Sequence, residues 1–262
     1  MALHGFVDAS LNFYATPRGL LVTDKGDTVQ LLDGLVLDFP RDAKSRFSDF
    51  SIVAGTWSDF NPGYQAPNRN VVNEVDYFAG VGAKLFHDFK AGVQYVAFTS
   101  PQRAFHVKHN IEFNLSFDDS PWLQPISIQP YAKLFWAVAG SSTVITGRQG
   151  NTFDVELGAL PAWDLHAYGA PLVLTAPTWI TVGPASYWGG QSNFGVVSAA
   201  LKATAPLDFI HFGAWYADAA IQFYHIMNSQ LILAQMLDGT GQFGTPAHRN
   251  FGIWSVGFGL GL

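Results

Sequence analysis

The sequence predicts an all-β chain: a single domain over 1–262 forming a transmembrane antiparallel up-and-down β-barrel of about twelve strands, with a short helix in the last long loop. Three observations carry this expectation. Apolar and polar residues alternate with a period of two along most of the chain. The alternating stretches are long, many of about ten residues or more, where soluble strands usually run about 5–6 and a tilted membrane strand needs about 9–11. Charged residues make up only 13% of the chain and aromatics 15%, with eight Trp and twenty-two Phe. Soluble domains carry roughly twice that charge.

The stretch FHVKHNIEFNLSF (105–117) shows the pattern best. Phe105, Val107, His109, Ile111, Phe113, Leu115 and Phe117 share one face of an extended chain. His106, Lys108, Asn110, Glu112, Asn114 and Ser116 share the other. In a soluble sheet the apolar face is the core; in a membrane barrel it meets lipid and the polar face lines the lumen.

In chain order, strands are expected at about 3–15, 28–39, 47–58, 73–87, 89–100, 104–117, 125–139, 151–162, 171–183, 193–205, 209–226 and 250–262. The N-terminal MALHGFVDAS already alternates, so no signal peptide is visible, and Met1 is read as a start added to a mature chain. The links PRDAKSR (40–46), HDF (87–89), DDSPW (118–122) and APLD (205–208) are tight, with WDLHAYGA (163–170) longer. The intervening links, 16–27, 59–72, 140–150, 184–192 and 227–249, are mostly long, with SPQR (100–103) the exception. Short turns at one end and long loops at the other are a membrane-barrel signature. An even strand count lets the last strand close on the first.

Faces follow from the alternation. Val75, Tyr77, Ala79, Val81, Ala83 and Leu85 form one outward set; Ile126, Ile128, Ala132, Leu134, Trp136 and Val138 another; Trp254, Val256, Phe258, Leu260 and Leu262 the last. Trp57, Trp122, Trp163, Trp179, Trp188 and Trp215 fall near strand ends, where an interfacial girdle would sit. MNSQLILAQMLDGTG (227–241) breaks the alternation, with Asn228 or Ser229 as an N-cap and Gly239 as a stop for a short helix.

No run of 18 apolar residues offers a membrane helix, which leaves a closed barrel as the way to satisfy a spanning backbone. Without cysteine there are no disulfides or thiolate sites, and a net charge of −6 without a basic cluster gives no sign of nucleic acid. No G-x-S-x-G elbow, phosphate loop or zinc spacing is present, so no catalytic residue, cofactor or metal is expected. His106 and His109 point to opposite faces and cannot share a metal. Asp164 and His166 suggest an Asp–His couple, but a polar turn accounts for them more simply.

The closing NFGIWSVGFGLGL presents Gly257, Leu260 and Leu262 in the arrangement that resembles the signal read by the barrel-assembly machinery, with Leu262 where an aromatic is usual. GTWSDF (55–60), NEVDYFAGVGAKL (73–85), AFTSP (97–101), NIEFNLSFDDS (110–120) and QFYHIMN (222–228) resemble TorF-type porin-like proteins and related Gram-negative outer-membrane barrels, over about three-quarters of the chain. The resemblance implies a bacterial outer-membrane location, contact with outer-membrane lipid and lipopolysaccharide, and passage of small solutes. It transfers no catalytic residue.

The inward polar set then carries the expected function. It comprises Lys84, Lys90, Gln94, His106, Lys108, Asn110, Glu112, Asn114, Gln129, Tyr131, Lys133, Asp154, Glu156 and Lys202, with Glu74 and Asp76 nearer the outer end. Both signs occur, so weak ion selectivity is expected. The expectation is a narrow channel for passive diffusion of small polar or amphipathic solutes. Its rivals are an outer-membrane transporter for hydrophobic compounds, an outer-membrane enzyme acting on lipid or peptide, a closed structural barrel with adhesive loops, and a soluble barrel.

Overall fold

The protein is described by a computed structural model, which defines residues 1–13, 27–39, 47–61, 72–86, 88–101, 106–140, 151–188, 190, 192–236 and 248–262. The strands in chain order are β1 (Ala2–Asn12), β2 (Thr28–Phe39), β3 (Phe47–Phe60), β4 (Val72–Leu85), β5 (Phe89–Thr99), β6 (Lys108–Phe117), β7 (Ile126–Ser127) and β8 (Pro130–Gly140). They continue with β9 (Thr152–Ala159), β10 (Ala162–Asp164), β11 (Val173–Thr175), β12 (Thr178–Val182), β13 (Phe194–Pro206), β14 (Ala214–Ile226) and β15 (Asn250–Gly261). Helix α1 (Ser120–Leu123) lies before β7 and α2 (Ser229–Met236) after β14.

Twelve of these strands form a closed antiparallel barrel, and β7, β10 and β11 are short extensions of it. Closure rests on β12 pairing with both β9 and β13, and on β1 pairing with β15. At that last seam Gly5 and Leu262 exchange backbone hydrogen bonds of 3.1 and 2.8 Å. Both termini therefore lie at one end, here the near end; the C-terminal ends of β3 and β14 mark the far end.

The outer face is mostly apolar. Leu35, Leu157, Leu201, Phe223, Trp254 and Phe258 are exposed on it, while Asp154 and Ser198 are buried on the inner face. Apolar outside and polar inside is the arrangement for hydrocarbon, not water. Among the described residues no helix is long and apolar enough to cross a membrane; the strands do so instead.

Three expected strands are broken. The 125–139 stretch divides into β7 and β8, 151–162 into β9 and β10, and 171–183 into β11 and β12. Each break abuts a proline: Pro130, Pro161 and Pro177. Proline has no N–H to give to a ladder, so neighbouring strands bend at the same level. Leu160 N–H turns to the carbonyls of Ile128 and Gln129, Ala176 N–H to Pro161, and Ala200 N–H to Pro177. Gln129 accommodates the bend with a positive φ of 48°.

The stretch expected from 104 begins as a strand only at Lys108, and His106 is exposed ahead of it. The girdle also divides. Trp122 and Trp163 are exposed at the near end, with Trp122 against Phe117 and Trp163 against Tyr168. Trp188 is instead buried in an interior cluster with Tyr187, Val196, Tyr224, Ile226, Leu231 and Ile253, against which Trp179 packs. Trp57 pairs with Leu32 and Asp76 on the inner face.

Helix α2 forms where expected. The buried Asn228 accepts from Gln230 N–H at 2.9 Å, and its own amide donates to the carbonyls of Ser192 and Phe194. Gly239, the expected stop, and PRDAKSR (40–46) lie outside the described residues. The tight link DDSPW carries α1.

Candidate solute pathway

The inner wall is built by register. Ser51, Gly82, Gly92, Asn114, Lys133 and Glu156 are successive partners across β3, β4, β5, β6, β8 and β9. Alternation fixes which side each strand turns inward, and pairing sets these residues in one row. Lys133 meets Glu156 at 3.2 Å and its ammonium lies 4.9 Å from the Tyr131 ring centre. Gln94 donates to Glu112 at 2.9 Å. On the opposite wall Lys202 meets Asp218 at 3.0 Å, Tyr216 donates to Asp8 at 2.6 Å, and Gln222 donates to Ser198 at 2.9 Å.

Glycines admit these side chains. A Cβ at Gly259 would fall inside the Tyr216 ring, and one at Gly158 would fall against Tyr131. The Tyr216 and Tyr131 rings thus lie over the backbone of the neighbouring strands.

Among the residues expected to face inward, Lys84, Lys90, Gln94, Lys108, Asn110, Glu112, Asn114, Tyr131, Lys133, Asp154, Glu156 and Lys202 occupy inner-face register positions. His106 does not, because β6 starts after it. Gln129 sits at the proline bend, where its amide donates to Ser127 at 2.9 Å. Gly257 lies inward under Asp218, whereas Leu262 is exposed at the seam.

Two regions of the interior differ. At the far end, between β12 and β15, the apolar cluster under α2 is packed shut. Along β3 to β6, toward the near end, a cavity of about 370 Å³ opens on the wall. It is lined by Asp49, Ser51, Val53, Lys84, Lys90, Gln94 and Asn114, with Gly82 and Gly92 as floor. Asp8, Tyr216 and Asp218 were missed as inward groups, although AWYADAAIQF alternates legibly.

The Asp164–His166 couple is exposed near-end chain. The Asp164 side chain accepts from His166 N–H as the cap of a 3-10 turn, Leu165–Tyr168. These hydrogen bonds, from the backbone first and then the imidazole, hold the Asp164 carboxyl below its ordinary range. Among the described residues no cluster of three metal-ligating side chains occurs.

Fold and wall together define a twelve-stranded transmembrane β-barrel with a polar, charge-paired interior. The particular likeness is to solved outer-membrane barrels. The NanC porin aligns over 97% of this chain and 98% of its own, with a TM-score of 0.50 and 9% identity. An outer-membrane channel from Pseudomonas putida F1 aligns over 99% and 95%, with a TM-score of 0.49 and 8% identity. At such identity the likeness is one of fold. No protein-family model matches the chain, and no curated protein does.

Proposed function

We propose that the protein is an outer-membrane channel for passive diffusion of small polar or amphipathic solutes, of the TorF-type porin-like group its strands resemble, in a Gram-negative bacterium. The observation that carries this reading is the division of the interior. The apolar cluster under α2 lies in the β12–β15 sector, whereas the β3–β6 wall carries polar side chains beside a cavity. Solutes would exchange hydration for lumen amides, hydroxyls and paired charges along that wall.

The outer face would contact outer-membrane lipid and lipopolysaccharide, and Gly257, Leu260 and Leu262 would present the closing strand to the barrel-assembly machinery. A hydrophobic-compound transporter finds less support, because the apolar residues near α2 fill their own space: Val196 and Ile226 are wholly buried. The exposed Asp164–His166 turn likewise gives little support to an enzyme.

Single-channel recording in planar bilayers tests the channel. Discrete conductance steps that shift when Lys108 and Lys133 are reversed to Glu are expected. Folded protein, identified by heat-modifiable gel mobility, that gives no steps at any voltage would overturn it.

A further inference from the structure

We infer that the cavity on the β3–β6 wall is a binding subsite for a small organic monoanion, a carboxylate whose body carries hydrogen-bonding groups. The inference deepens the channel reading and rests on it for the solute's route, though not for the binding itself.

Lys84 and Lys90 are direct partners across β4 and β5, and both line the cavity. Like charges set opposite one another on a sheet repel, so the pair is an unfavourable arrangement until an anion lies between them. Lys90 has a counter-ion in Asp118 at 3.5 Å, but the Lys90 side chain is 61% exposed, so the pair is weak and exchangeable. Lys84 has no ion pair or hydrogen bond among the described residues.

Room for a ligand is made by glycine. Gly82 and Gly92 are the next inward pair along the same two strands, so two opposed positions beside the ammonium groups carry no side chain. Also lining it are a hydroxyl (Ser51), two amides (Gln94 and Asn114), one carboxylate (Asp49) and the aliphatic Val53, with Val81, Ala83, Ala91 and Val93 at outward register positions of β4 and β5. The lining residues carry two ammonium groups and one carboxylate, so once an incoming anion displaces Asp118 from Lys90 a single positive charge remains in the cavity, which matches a monoanion. Hydroxyl and amide groups around a cavity of about 370 Å³ suit a hydrogen-bonding body over a plain hydrocarbon one.

The test is equilibrium binding by the refolded chain in detergent micelles, read by NMR at the Gly82 and Gly92 amides. Gluconate is the probe and glucose, which lacks the charge, the comparator. Expected are saturable shifts with gluconate, none at the same glucose concentration, and at least tenfold weaker binding in Lys84→Gln/Lys90→Gln. Asp49→Asn should tighten binding. Gly82→Leu should abolish it with both lysines in place; a Cβ there meets only Ser51 Oγ at 3.2 Å and Ala91 O at 3.6 Å. Equal shifts with glucose, or unchanged gluconate affinity in the double lysine variant, would overturn the subsite. Conductance of the same preparation separates the two proposals. Current without gluconate binding removes the subsite and leaves the channel; binding without current removes the channel and leaves the subsite.

Discussion

Thr56 donates a 2.6 Å hydrogen bond to the carboxylate of Asp33 on the outer face of the barrel. The two residues are direct partners across β2 and β3, and their row runs on to Val7 and the exposed Tyr77. Leu35, on the same face two residues away, is 56% exposed. A carboxylate thus stands within the apolar belt, near the middle of β2. Lipid-facing acids destabilise membrane barrels, though less than Lys or Arg, and the Thr56 hydroxyl offsets part of that cost. Asp33→Leu is expected to raise stability by about 1 kcal/mol. Thr56→Val, which removes only the donor, should lower it by about 1–3 kcal/mol. Reversible urea unfolding in phospholipid vesicles reads both, and an Asp33→Leu barrel that unfolds more readily would contradict the placement.

The Lys202–Asp218 pair holds a carboxylate that is only 5% exposed at its side chain. Removing the ammonium alone leaves that charge buried without its counter-ion. Lys202→Met should therefore cost about 3 kcal/mol, with most of the loss recovered in Lys202→Met/Asp218→Leu. The same unfolding measurement distinguishes a lost ion pair from lost packing: a double variant as unstable as the single one would point to packing.

Asn228 ties α2 to the barrel from both ends of its side chain, accepting from Gln230 N–H and donating to Ser192 and Phe194. Asn228→Ala removes a helix cap and strands two carbonyls, at a cost of about 2 kcal/mol. Hydrogen exchange should quicken at Leu231 and Ile232 while β5 and β6 amides stay protected. Uniform quickening along the chain would show that α2 is not a separate unit.

Asp118, in the near-end turn after β6, titrates below its ordinary value near 3.8. The Ser120 hydroxyl is the main cause, opposed by partial desolvation and helped by Ser120 N–H and the Lys90 ammonium. A depressed carboxyl contributes stability that is fully present above its unfolded value and is lost as pH falls through the folded one. Between those two values the near-end turn should therefore loosen with acid. Ser120→Ala should move the Asp118 midpoint up in an NMR titration; an unchanged midpoint would assign the depression to Lys90 instead.

Strand existence was legible because a membrane strand leaves two independent marks, period-two alternation and length, and β2, β4 and β15 carry both. The breaks were not read, although Pro130, Pro161 and Pro177 stand in the sequence. Alternation counts side chains and is indifferent to a missing N–H. Those prolines matter only because pairing sets the broken strands side by side, where each loss of a donor must be met by a neighbour. Tryptophan failed as a marker for a related reason. Nearness to a strand end does not say which way a ring points, so Trp122 and Trp163 reached the outer surface while Trp188 went inside.

The sequence by itself determined the membrane barrel, its approximate strand count and most of the inward residues, since facing is a property of one strand and needs only parity. Which residues on different strands stand opposite one another is decided by register, a property of pairs. Only the closed sheet sets Lys84 against Lys90 and Gly82 against Gly92, and brings Tyr216 over Gly259 to Asp8. The alternation named the charges of the lumen; the ladder assembled them into a cavity.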